Sequence, residues 1–126
     1  MASLTEPYEL TFDRRPFYLH AFIKSDAMSV DISLRYLREI ADKCITLRYT
    51  RLMIERSIPQ TLSESELETV AIEFILMGMA DIKVAFLDKR AENLEPLRSA
   101  MIARNSRGAW ADVFTNIDEA ERWLLG

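Results

Sequence analysis

Residues Ser65 to Asp88 read SELETVAIEFILMGMADIKVAFLD, and a change of period inside this stretch decides the fold. In its first part Leu67, Val70, Ala71, Phe74 and Met77 or Gly78 recur every three or four residues, which places them on one face of a helix over Ser65 to Met79. In its second part Ile82, Val84 and Phe86 alternate with their neighbours, the period of a strand. The same change repeats on both sides. Upstream, Val30, Leu34, Leu37, Ile40, Ala41 and Cys44 share a helical face from Ser29 to Lys43, with Ser29 placed as N-cap, and RLMIE follows as a short strand. Downstream, Asn93 to Arg107 predicts a helix with Leu94, Leu97, Met101 and Arg104 in line, and WADVF a short strand. Pro96 fits only in that helix's first turn, and Gly108 is placed to end it. NIDEAERWLL predicts a closing helix, with Asn116 and Glu119 at capping-box spacing.

The N-terminal part opens the sheet. YELTF alternates Tyr8, Leu10 and Phe12 against polar neighbours, and DRRP is a turn signal. FYLHAFIK is apolar on both alternating sets, Phe17, Leu19, Ala21, Ile23 and Tyr18, His20, Phe22, as in a strand covered on both faces. The two segments predict an antiparallel hairpin. The full order is β-β-α-β-α-β-α-β-α, an α/β fold whose right-handed crossovers give a largely parallel sheet with an antiparallel edge.

With 126 residues, 49% hydrophobic, the chain reads as a single domain over 1–126 and buries a core without staples. A net charge of −4, with Arg14-Arg15 and Lys89-Arg90 as isolated turn dipeptides, argues against a nucleic-acid partner. One cysteine, Cys44, excludes an intramolecular disulfide and a multi-cysteine metal site, and reads as a small buried hydrophobe. The N-terminus lacks a secretory signal, and no apolar run approaches the roughly 20 residues of a membrane span. A cytoplasmic protein with no membrane insertion is expected.

No catalytic constellation can be assembled from these residues. His20, the only histidine, lies in the middle of a strand, where a hydrogen-bonded sheet residue is the expected reading. No G-x-S-x-G elbow and no glycine-rich phosphate loop is present, and no metal or other cofactor is implied. The acids Asp118, Glu119 and Glu121 suit a helix start. Glu73, set among apolar residues, reads as a solvent-facing gap rather than a general acid.

Two features stand out as candidate surfaces. Ile72, Ile75, Leu76 and Met79 carry the apolar surface of the second helix beyond the stripe one sheet face would cover, as expected for contact with a neighbouring helix, a second subunit or an apolar ligand. ERSIPQTLSESEL, Glu55 to Leu67, concentrates the hydroxyls Ser57, Thr61, Ser63 and Ser65 in one connection. Ser63 and Glu66 form a capping box there, with Leu62 and Leu67 at the positions of a hydrophobic staple.

The C-terminal half, IKVAFLDKRAENLEPLRSAMIARNSRGAWADVFTNIDEAERWLLG, resembles the bacterial SpoIIAA-like proteins of the STAS class. The matching residues are Asn105, Arg107 and Gly108, with Ser106 interrupting that turn, and then Phe114, Glu119, Ala120, Trp123 and Leu124. YLREIADKC, RLMIERS and LSESEL fit the same order of elements, so the likeness covers nearly the whole chain. The resemblance implies a mixed five-stranded sheet with four helices and a non-enzymatic binding or switching role. In the sporulation-type relatives a serine in an Asp-Ser-x-Gly-like motif is phosphorylated at the start of the second helix. This chain has neither the Asp-Ser pair nor the glycine there.

The expected function is a protein-interaction or regulatory module whose partner is another protein or a second copy of itself. Its candidate surface is Ser57, Thr61, Ser63, Ile72, Ile75, Leu76 and Met79. The alternative is a binder of a small apolar or lipid-like molecule, to which Tyr18 and Phe22 would add surface.

Overall fold

The computed structural model describes residues 7–26, 28–59, 62–105 and 110–126. Two strands, β1 (Glu9–Arg14) and β2 (Leu19–Lys24), come first. They are followed by α1 (Val30–Thr46), β3 (Arg51–Ser57), α2 (Glu64–Phe74), β4 (Lys83–Asp88), α3 (Leu94–Asn105), β5 (Trp110–Phe114) and α4 (Ile117–Leu125). A single turn of 3-10 helix, Ala91–Asn93, leads into α3, and Pro96 lies in the first turn of α3. The chain is α/β, with a mixed five-stranded sheet and four helices, in the order the periodicity predicts.

The strands lie in the order β1-β2-β3-β4-β5, antiparallel between β1 and β2 and parallel thereafter. Each crossover therefore steps one strand in the same direction, and right-handed crossovers of that kind put every connecting helix on one face. That face holds the larger core. Leu37 and Ile40 of α1, Leu67 and Phe74 of α2 and Leu97 of α3 pack on Leu19, Ile23, Leu52, Ile54, Val84 and Val113. Only α4, which follows the last strand, reaches the other face, where Ala120 and Leu124 meet Met53, Ala85 and Leu87. Lys83 ties down the end of α4, its Nζ donating to the Trp123 carbonyl at 2.7 Å and lying 4.6 Å from the centre of the Trp123 ring.

Local chemistry sets the helix ends. The Ser29 hydroxyl accepts from the Ile32 N–H at 3.1 Å. Asn116 caps α4 through the Glu119 N–H at 3.1 Å. α1 runs past the predicted Lys43 to Thr46, so Cys44 lies inside its last turn, fully buried. Its terminus is a Schellman arrangement, with Tyr49 N–H on the Cys44 carbonyl and Arg48 N–H on the Ile45 carbonyl. Arg48 takes the left-handed position at φ 62°, where glycine is the usual signal, so the sequence shows no stop there.

Two expectations are corrected. The second helix is not continuous to Met79: α-helical geometry ends at Phe74, and Ile75–Met79 form a π turn. Gly78 closes that turn at φ 94°, and a side chain there would also press on Ile45 at the end of α1. Nor is the FYLHAFIK strand covered throughout. Phe17 lies in the turn before β2 with 69% of its surface exposed, and Phe22 is half-buried because α4 covers only part of its face. The predicted terminator Gly108, with Ser106 and Arg107, lies outside the described residues.

Candidate functional site

The seven nominated residues do not converge. Ser57 and Ser63 lie at the two ends of the β3–α2 connection, at the carboxyl edge of the parallel strands, whereas Ile75, Leu76 and Met79 follow the far end of α2. At about 1.5 Å per helical residue, the two groups stand roughly 20 Å apart. Thr61 lies outside the described residues. Of the apolar set, Leu76 is 73% exposed and Ile72 and Ile75 are half-buried, but Met79 is fully buried in the larger core. The π turn explains the split, because it turns Met79 inward while leaving Leu76 outside. Glu73 faces solvent, as its reading required.

The two hydroxyls differ in use. Ser63 makes both halves of a capping box: its hydroxyl accepts from the Glu66 N–H at 3.3 Å, and its own N–H donates to the Glu66 carboxylate at 3.1 Å. Leu62 and Leu67 are both buried beside it, as a staple requires. Ser63 thus belongs to the helix start. The Ser57 side chain is exposed and makes no hydrogen bond to any described residue, while its carbonyl accepts from the Ser25 N–H at 3.3 Å.

Ser57 opens onto a recess of about 350 Å³ shared with Phe22, Glu55, Lys89 and Arg90. The recess is anchored from beneath. Arg56, on the same strand but pointing to the opposite face, pairs with Asp88 at 3.0 Å, and their side chains are only 4% and 1% exposed. Asp88 also accepts from the Asn93 side chain at 3.0 Å and from the Arg90 N–H at 2.9 Å. This buried clamp fixes the ends of β3 and β4 and the start of the β4–α3 connection. Separating the pair would leave a buried charge without its partner.

A second recess of about 200 Å³ joins the first through Phe22 and Glu55 and extends to Thr11, Asp13, Arg15 and His20. It lies on the half of the sheet that α4 leaves bare. His20 Nε2 is 3.0 Å from Glu55 Oε1, and Lys89 Nζ reaches the other Glu55 oxygen at 3.9 Å. His20 is therefore a partnered sheet histidine. Its neighbour Tyr18 donates its hydroxyl to Glu121 of α4 at 2.7 Å. Burial, reinforced by the hydrogen bond to the Glu121 carboxylate and its charge, pushes the Tyr18 phenol up to about 12. Burial alone pushes the Cys44 thiol up to about 11, which keeps it an unreactive core group.

The larger core contains a cavity of about 40 Å³ between α1, α2 and the sheet. Met28, Tyr36, Leu62, Phe74 and Phe86 line it, and Arg56 stands at its polar end. Its volume is far below the roughly 300–1,000 Å³ typical of a ligand pocket.

Among the described residues no His, Cys, Asp and Glu cluster is placed to hold a metal ion, and no helix is long and apolar enough to cross a membrane. Sequence reasoning treated Lys89-Arg90 as turn residues and left Asp88 unremarked. The ion-pair partners of Asp88 and Lys89, Arg56 and Glu55, lie more than 30 positions away in the chain. No family model and no curated protein matches this chain.

Proposed function

We propose that this protein is a non-catalytic regulatory module that recognises a protein partner at the carboxyl edge of its sheet, around Ser57, in the manner of the SpoIIAA-like, STAS-class proteins it resembles. The observation that carries this reading is the setting of Ser57. Its exposed hydroxyl serves no described structural contact, and it stands beside Lys89 and Arg90 on an edge held rigid by the Arg56–Asp88 clamp. Binding surfaces are characteristically loops held by such a scaffold. Of the described hydroxyls nominated for a switch, Ser57 is also the one with cations beside it, since Lys89 and Arg90 share its recess and could pair with a phosphate in competition with Glu55. At Ser63 a phosphate would meet Glu64 and Glu66 and break the cap.

A photo-crosslinking residue placed at position 57, in the cell of origin, tests the reading against the same residue at the exposed Asp118 of α4. A discrete protein adduct from position 57 alone is expected. No adduct from that position, or the same adducts from both, overturns it.

The apolar walls of the core cavity favour a second reading, a binder of a small apolar or lipid-like molecule. A ligand of ordinary size could be held only if the packing around this small cavity opens. Native mass spectrometry of freshly purified protein separates the two, because a retained small mass supports only the second.

A further inference from the structure

β1 lies at the edge of the sheet, and the hydrogen-bond phase of its outer side can be read from the turn that follows it. The Arg15 N–H donates to the Tyr18 carbonyl at 3.1 Å, so Arg15 and Tyr18 are a hydrogen-bonded antiparallel pair. Bonded and non-bonded pairs alternate along such a ladder. In the observed register the next bonded pairs are Asp13 with His20, Thr11 with Phe22 and Glu9 with Lys24. The N–H and C=O groups of Leu10, Phe12 and Arg14 therefore point away from β2, toward an edge that no described strand occupies.

Beside this edge runs an open groove of about 980 Å³ between β1 and α1, lined by Leu10, Leu34, Arg35, Arg38, Glu39 and Asp42 among others. Its walls carry both signs of charge. A surface that meets its own copy across a two-fold axis must be self-complementary, and a mixed-charge groove satisfies that condition where a single-sign groove would not.

The register is narrowly limited. Around a two-fold axis normal to the sheet, residues directly opposite each other share a face, and outward-pointing residues must oppose outward-pointing ones. Leu10 and Phe12 pack on the helix side, so they must meet residues that also face that side. Two central registers remain. One sets Leu10 against the partner's Phe12, but it places Glu9 against the partner's Asp13 twice, a like-charge pairing that destabilises. The other centres on Phe12. It sets Phe12 against the partner's Phe12, Leu10 against the partner's Arg14, and Glu9 against the partner's Arg15. We propose that two copies of this chain pair antiparallel along β1 in the register centred on Phe12, forming one continuous ten-stranded sheet with the two α1 helices facing each other across the joined grooves.

About six new backbone hydrogen bonds close the joint, two for each opposed pair of outward residues. The charges that guard an edge strand against indiscriminate pairing here also select the register.

Charge reversal tests both the pairing and the register on the full chain, read as dimer dissociation by analytical ultracentrifugation. Glu9→Arg and Arg15→Glu each set like charges opposite one another twice per dimer, and each should weaken association about tenfold. The double variant restores opposite charges and should return to within about twofold of the starting affinity. Phe12→Pro removes an outward N–H that β2 does not use and should yield a monomer. Its circular dichroism spectrum would report whether the fold survives. A chain that is monomeric at every concentration overturns the proposal, as does a dimer indifferent to the single reversals or not rescued by the double. The proposal is independent of the Ser57 surface, since a monomer with intact position-57 crosslinks rejects only the β1 pairing.

Discussion

Glu55 and Arg56 are adjacent in β3 yet belong to two different environments. Arg56 points to the face covered by three helices, where it and Asp88 are almost completely buried and Asn93 completes the site. Glu55 points to the face that α4 covers only in part, where His20 and Lys89 share it and 18% of its side chain remains exposed. The difference follows from topology. A strand order that never reverses sends every crossover helix to one side, so the second side receives only the helix left over after β5. One face became a core and the other kept a bare, charged half. The recesses around Ser57 and His20 lie where cover ends.

This contrast predicts unequal costs. Asp88→Ala leaves Arg56 buried without its partner and should cost about 3–5 kcal/mol, whereas Glu55→Ala should cost about 1 kcal/mol or less, because Glu55 is itself partly solvated and its partner Lys89 stands in water. Equilibrium denaturation of the two variants measures both, and similar values would erase the distinction between the faces. Next in size, Leu124→Ala removes a fully buried side chain from the smaller core and should cost about 2–3 kcal/mol, at the low end for such truncations because α4 can settle onto the gap. A loss beyond about 4 kcal/mol would mean that the α4 side is as tightly packed as the other. Ser63→Ala should cost about 0.5–2 kcal/mol through the lost cap, with urea midpoints as the readout. A value near zero would make Ser63 available for a role other than capping.

A further effect is expected at alkaline pH. The folded-state phenol of Tyr18 is raised above its ordinary value of 10.0 to about 12. Above pH 10 the unfolded chain loses this proton while the folded chain retains it, so the contribution of Tyr18 is complete below pH 10 and disappears as pH rises through 12. Replacing Tyr18 with Phe should flatten that part of the stability profile and remove a step near pH 12 from the phenolate absorbance titration. An unchanged titration would show that the Glu121 contact does not hold in solution.

Much of the fold was legible because it depends on nearby residues. Apolar spacing marked the strands and helices, and hydroxyl or amide side chains placed just before apolar runs marked the starts of α1, α2 and α4. The misses have equally local causes. Arg48 ends α1 without the glycine that normally announces a left-handed residue. The helical period from Leu67 to Phe74 continues at Met77 or Gly78, so the spacing gives no warning of the π turn. Within that turn Leu76 is exposed and Met79 buried.

The candidate site was legible only in part. Ser57 could be nominated, since a serine ending a strand before a helix is a matter of position, but its advantage over Ser63 rests on Lys89 and Arg90. The sequence by itself determined the element order, the helix caps and which residues of each strand share a face, because these depend on contacts a few residues apart. Tertiary structure alone decided that Arg56 meets Asp88, that His20 meets Glu55, and that half of one sheet face stays open. Those outcomes depend on the register between strands 32 to 35 residues apart and on the side to which each crossover turns, and neither leaves a trace in local spacing.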